Sequence, residues 1–197
     1  MLIEHRGKSP TIDPSAYVAP TAVVCGDVRI GPEARVLFGA VLTAEDGSVE
    51  IGARCVVMEN ALLRGRGDNP TRLGDDVLVG PQAHINGADV AGGCFLATGA
   101  ALFPGSRVGR DAEVRINGVV HVNTVLEDEA VVPIGWVAVG DPAKILPSGR
   151  HEDIWRVQEQ LDFPQTVYGL DREASSRERM QRQADWFASH RDDRPLS

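Results

Sequence analysis

The amino-acid sequence predicts an all-β chain, a parallel β-helix built from six-residue repeats, closed by an α-helical tail. Three observations predict it. An aliphatic residue recurs every six positions, and a small residue stands four places after most of them. Apolar residues make up 43% of the chain but aromatics only 5%, so the interior must be assembled from Val, Ile, Leu and Ala.

The register runs Ile12, Val18, Val24, Ile30, Val36, Leu42, then Ile51, Val57, Leu63, then Leu73, Val79, Ile85. After a five-residue step it continues as Val90, Leu96, Leu102, Val108, Val114, Val120, Leu126, Val132. The small partners are Ala16, Ala22, Ala34, Ala40, Cys55, Ala61, Ala83, Cys94, Ala100 and Ala112. A helix would repeat at 3.6 residues, and chance alternation in a β-sandwich does not hold one register over twenty positions. One large and one small inward residue per hexapeptide suits a coil of three short strands around a triangular core. Successive coils then stack as parallel strands. Two longer steps leave the coil as loops, at 44–49 and 65–72, and loops on a rigid scaffold are where sites are often built. Within the second, Arg66-Gly67-Asp68 spells a cell-adhesion tripeptide that reads here as coincidence.

The repeat domain spans residues 8–147 and the tail 148–197. In the tail, HEDIWRVQEQL places Ile154, Val157, Gln158 and Leu161 at helical spacing, with acids in the first turn. DFPQTVYG reads as a connector. ASSRERMQRQADWFASH, opened by Asp171, stripes Met180, Ala184 and Phe187 along one face. The two helices are expected along the coil or on a neighbouring subunit, with Trp155 and Trp186 as packing anchors.

A formal net charge of −8 argues against nucleic acid as a partner. Cys25, Cys55 and Cys94 are odd in number, form no C-x-x-C pair and read as reduced core thiols of a cytoplasmic protein. The opening MLIEHRGKSP carries no long apolar run, so neither a signal peptide nor a membrane partner is expected.

Strand alternation turns the neighbours of an inward residue outward. In the third strand of each coil one outward column reads Val41, Leu62, His84, Ala101, Val119, and the other Thr43, Arg64, Asn86, Phe103, His121. An apolar outward column calls for cover, and a closed homotrimer is the natural form. His84, Arg64, Asn86 and Thr43 then form a polar group in an apolar wall at a subunit boundary, the usual make-up of a small-molecule pocket. His121, Arg115 and Asn117 make a second polar patch with solvated or interface roles. His5, His151 and His190, in flanks and helices, carry no signal.

GDVRIG (26–31), IGARCVVMENALL (51–63), LGDDVLVG (73–80) and VGDPAKIL (139–146) resemble the γ-class carbonic anhydrases and their relatives over residues 8–147. The resemblance implies a left-handed coil, a trimer and a site between subunits. It also implies three zinc-binding His residues, at positions that here hold Arg64, Pro81 and Asn86. That family's R-G-D becomes Thr43-Ala44-Glu45, and its Gln-Asp becomes Met58-Glu59. Arg has no lone pair to donate, Pro no ligand atom, and Asn is a poor zinc ligand, so no metal is expected there. A relocated site on His84 and His121 would need a third donor such as Glu59, Glu45 or Asp46, because two rungs separate the rings by about 9–10 Å.

The expected alternative is a metal-independent hydrolase, hydratase or lyase acting on a small anion. Arg64 would bind the anion, Asn86 would polarise it with Thr43 beside it, and His84 would move the proton, with Glu59 orienting His84 or pairing with Arg64. Against this, Arg64 with Glu59 also reads as a plain interface salt bridge, and His84 as an interface residue. Two other classes stand beside it. One is an acyl-coenzyme A-dependent acyltransferase using His84 as base, although no cofactor motif appears and no cofactor is expected. The other is a non-catalytic trimeric scaffold.

Overall fold

The computed structural model describes residues 1–196. Its repeat domain is a three-sided parallel solenoid. One sheet has ten strands, formed by every third strand of the coil plus an antiparallel strand at each end, and the other two have seven parallel strands each. Leu42, Leu63, Ile85 and Leu102 pair in one register across neighbouring strands and are fully buried. The small partners Ala22, Ala34, Ala40, Cys55, Ala61, Ala83, Cys94, Ala100 and Ala112 are buried with them, and Ala16 is partly so. The aliphatic side chains supply the driving force, on the order of 1.5–3 kcal/mol for each fully buried side chain of this size. The small ones leave room for the backbone to turn.

The corners explain the rest of the hexapeptide. Left-handed backbone falls every six residues at Gly93, Gly99, Gly105, Asp111, Asn117, Asn123 and Glu129. Gly, Asn and Asp reach this conformation at the least cost. Gly99 must also be bare, because a Cβ there would run into the Asn117 side chain one coil on.

Both ends of the ten-stranded sheet are closed by antiparallel strands. Trp136–Val139 turns back onto Lys144–Pro147 at one end, and Arg194–Pro195 from the chain's far end pairs with Leu2–Glu4 at the other. The tail therefore runs the length of the coil. It holds α1 (His151–Gln158), α2 (Phe163–Tyr168), α3 (Ser176–Phe187) and a 3-10 turn (Ala188–Asp192).

Three details of the tail differ from expectation. The DFPQTVYG connector contains a helix: the Asp162 carboxylate accepts from Gln165 N at 3.4 Å, and a proline sits in the first turn, where its missing N–H costs nothing. The next helix is opened by Ser175 rather than Asp171, through a reciprocal capping box with Glu178. Its inward face is Arg179, Gln183, Trp186 and Phe187, while Met180 is 59% exposed and Ala184 is also exposed. The coil surface facing α3 carries two arginines, so the helix turns its aromatic rings onto guanidinium planes. Among the described residues no helix is long and apolar enough to cross a membrane.

Candidate functional site

The two outward columns of the ten-stranded sheet have different fates. Val41, Leu62, His84, Ala101 and Val119 stay half-buried. The Thr43, Arg64, Asn86, Phe103, His121 column is covered by the tail of the same chain, with Thr43, Asn86 and His121 buried. The roof over the candidate site thus comes from the chain itself, where the sequence pointed to a neighbouring subunit. The tail from Asp171 on reaches back over it, ending in the strand Arg194–Pro195 beside Leu2–Glu4.

Thr43, Arg64 and Asn86 are direct neighbours in strand register, and His84 precedes Asn86 on the same strand and face. The expected Arg64–Glu59 pair is not formed. Among the described residues Glu59 makes no side-chain hydrogen bond or ion pair, since it lies at the far corner of the coil. Arg64 turns instead toward Glu45, with Nε 3.7 Å from the carboxylate, and its guanidinium lies 5.5 Å from the centre of the Phe187 ring. Glu45 is 4% exposed and shared: it accepts from Thr43 Oγ1 at 3.1 Å and meets His190 Nε2 at 2.9 Å.

Arg66, in the sequence only part of a chance tripeptide, carries a local signal of neither burial nor binding. It is 6% exposed, with its guanidinium 3.9 Å above the Trp186 ring and no ion pair among the described residues. That burial excludes an adhesion role for the tripeptide. Burial, then the neighbouring Arg64 charge, pulls the Arg66 pKa down, which marks a cation held in an unfavourable place. Beside it opens a cleft of about 380 Å³ between coil and tail, lined by Arg66, Asn69, Asn123, Thr166, Arg182 and Trp186. Asn123 fixes α2 over this cleft by donating to Leu161 O at 3.0 Å and Thr166 Oγ1 at 2.9 Å.

Among the buried polar atoms of the strands and loop on this side of the coil, Arg64 Nε, Arg66 Nη2, His84 Nε2, Asn86 Oδ1 and His121 Nδ1 have no protein hydrogen-bond partner. Burial, and then the Arg64 charge, holds the His84 imidazole below its ordinary range, so the ring is neutral near pH 7. His121 is also lowered, by burial. The two rings do not face one ion. Phe103 stacks between them, with ring centres 6.4 Å from His84 and 6.0 Å from His121, and Phe163 of α2 closes over His121 at 5.8 Å. Pro81 lies elsewhere, with Met58, in an apolar cleft that also holds Leu78, Phe95, Ile116 and Ile134. Within one chain the positions Arg64 and Asn86 therefore come together and Pro81 does not.

No protein-family model matches the chain. Over 153 residues, 75% of the chain, it is 34% identical to a protein named gamma carbonic anhydrase 2, mitochondrial, of Arabidopsis thaliana, and it covers 53% of that protein. It is 27% identical over 154 residues to a carbonic anhydrase of Geobacillus kaustophilus, covering 78% of this chain and 81% of the other. The chain spans about half the length of the Arabidopsis relatives it matches. Among solved structures, a hexapeptide transferase family protein from Anaplasma phagocytophilum superposes with a TM-score of 0.53 at 24% identity, over 82% of this chain and 92% of that one. That likeness concerns the fold.

Proposed function

We propose that this chain, a homologue over its repeat domain of proteins named gamma carbonic anhydrase, binds a small carboxylate-like anion without a metal, under its own tail. The supporting observation is the set of orphaned polar atoms on Arg64, Arg66 and Asn86 under the tail, with half-buried His84 two residues before Asn86 on the same strand. Buried polar groups normally find partners, and each one left over asks for a ligand. Glu45 pairs with Arg64, while Arg66 feels Asp46 and Glu45 without forming an ion pair to either, so an anion would give its guanidinium a partner.

Zinc does not fit the positions that the resemblance assigns to it. Arg64 offers no lone pair, Pro81 no ligand atom, and Asn86 only a weak amide oxygen. In the anion reading Arg64 and Arg66 hold the charge, Asn86 and Thr43 orient the ligand, and neutral His84 can take a proton at Nε2 from a bound acid or water. Glu59, at its distance from this group, is left without a role. The homology further supports a left-handed coil and a homotrimer in which the half-buried Val41–Val119 column meets a neighbour.

The test is thermal denaturation in bicarbonate, acetate, formate and phosphate, on the intact chain and on Arg64→Met. Stabilisation grows with ligand as RT ln(1 + [L]/Kd), about 2.7 kcal/mol at a hundredfold excess over Kd. The expected result is stabilisation by at least one small anion, and its loss in the variant. Stabilisation by none of them removes the reading, and stabilisation by acyl-coenzyme A esters alone replaces it with the acyltransferase.

A further inference from the structure

A second cluster of chemistry-bearing side chains lies at the other end of the covered face, where the tail meets the first coil. His5 follows the first strand, pinned by a turn in which its backbone exchanges two 3.0 Å hydrogen bonds with Lys8. Cys25 ends the next strand of the same sheet, opposite Ile3. His190 and Asp193 arrive from the chain's other end, on the 3-10 turn and just after it, held by the pairing of Arg194–Pro195 with Leu2–Glu4. His5 is 1% and Cys25 4% exposed.

The donors converge on the Asp193 carboxylate. His5 Nδ1 lies 2.6 Å from Oδ1, His190 Nδ1 2.8 Å from Oδ2, and Cys25 Sγ 3.8 Å from Oδ2. One ligand atom from each of the four residues lies within 4.8 Å of all the others. The two imidazoles stack with centres 4.4 Å apart. His5 Nε2 is buried and has no protein partner. His190 Nε2 faces Glu45 at 2.9 Å, which leaves its Nδ1 directed at the cluster.

As a purely hydrogen-bonded clasp this group is poorly matched. Three potential donors crowd one carboxylate, a buried ring nitrogen is orphaned, and the thiol adds only a weak bond. As a metal site the crowding around Asp193 has a use. Two imidazole nitrogens, a thiolate and a carboxylate are a tetrahedral set for zinc-like cations, whose bonds of about 2.0–2.3 Å place donors roughly 3.3–3.8 Å apart. The separations from Asp193, 2.6 to 3.8 Å, and the 4.8 Å limit for the whole group bracket that range. The Glu45 carboxylate on the far nitrogen of His190 is the outer partner that fixes a ligating ring and raises its basicity.

We propose that His5, Cys25, His190 and Asp193 form a four-coordinate site for a zinc-class divalent cation that clasps the C-terminal tail to the first coil. Binding breaks the Cys25 S–H bond and forms a sulfur–metal bond, with the electron pair staying on sulfur and the proton leaving to solvent. The cation must displace the thiol proton, because the thiolate and not the thiol is the ligand. None of the four ligands belongs to the anion pocket; the two share only Glu45, which meets Arg64 on one side and His190 on the other.

The experiment uses the full chain, stripped with chelator and reloaded with zinc or with cobalt(II). Expected are one ion per chain by elemental mass spectrometry, a thiolate-to-cobalt charge-transfer band, and protection of residues 188–196 from proteolysis. Cys25→Ser should abolish the band, and His190→Gln, a change at a half-buried tail residue that leaves the coil core intact, should weaken zinc binding at least tenfold. Circular dichroism checks that both variants keep the solenoid. Absence of tight binding, binding without the sulfur band, or undiminished binding in both variants overturns the proposal.

Discussion

At the scale of single residues, three histidines separate by environment, and their titrations run in opposite directions. Burial lowers His84 and His121, with Arg64 adding to the effect at His84. Burial also pulls His190 down, but its hydrogen bond to Asp193 and the charges of Glu45 and Asp193 outweigh this and raise it. Above pH about 6.5, His84 and His121 are neutral in folded and unfolded chains alike and do not affect stability. As pH falls through that value the unfolded chain takes up protons that the folded chain refuses, so the two rings destabilise the fold until their lowered folded values are passed. His190 does the reverse, since its contribution is complete below about pH 6.5 and fades as pH rises through its raised folded value. The double variant His84→Gln/His121→Gln should therefore lose less Tm between pH 7 and 5 than the natural chain, with roughly 2–4 °C of difference for each kcal/mol removed. The slope is the readout, so a uniform loss of stability from substitution does not obscure it. Equal slopes would mean that neither ring resists protonation in the fold.

At the scale of elements, the tail is a strap, and its last strand answers the problem every open solenoid faces. The edge at Leu2–Glu4 would present free N–H and C=O groups to another chain. Arg194–Pro195 covers it in the register Ile3 to Pro195 and Glu4 to Arg194, and proline, having no N–H, weakens the new edge as a template. Deleting residues 188–197 should leave the solenoid folded but uncap it, and light scattering should show mass growing with concentration where the intact chain stays discrete. A truncated chain with unchanged mass would show that the edge needs no cover. The strands and the strap differ in how plainly the sequence announces them. Leu42, Leu63 and Ile85 were legible because each hexapeptide must place one aliphatic side chain in the prism, and local spacing carries that demand. The α2 helix was not, because Asp162 and Pro164 are turn residues until a cap geometry makes them helix-starting ones. His5 and His190 looked uninformative for a different reason. They are separated by almost the whole chain, and only the antiparallel return of the tail, which no local period encodes, stacks one ring on the other.

At the scale of the whole molecule, the question is which surfaces are finished by the chain and which need another copy. The Arg64 and Asn86 column is finished, because α2 and α3 roof it. The corner bearing Met58, Leu78, Pro81, Phe95, Ile116 and Ile134 is not: Phe95 is 44% exposed, Ile116 45% and Ile134 63%, around a cleft of about 520 Å³. Apolar residues gathered around one cleft of a folded chain mark an interaction surface. On a solenoid with one half-buried apolar column and one apolar corner, the matching of unlike patches around a closed ring satisfies both. The double variant Phe95→Glu/Ile134→Glu places two carboxylates where a neighbour's apolar column would sit, and burying unpaired charges there opposes closure. In the homotrimer proposed above, light scattering should then fall from the mass of three chains to the 21.2 kDa of one. Because the roof over Arg64 and Arg66 is intramolecular, the dissociated variant should still be stabilised by the anion that stabilises the natural chain. Dissociation accompanied by loss of that stabilisation would mean that a neighbour supplies part of the pocket, returning the site to the subunit boundary. A variant that keeps its mass would place the contact surface somewhere other than this corner.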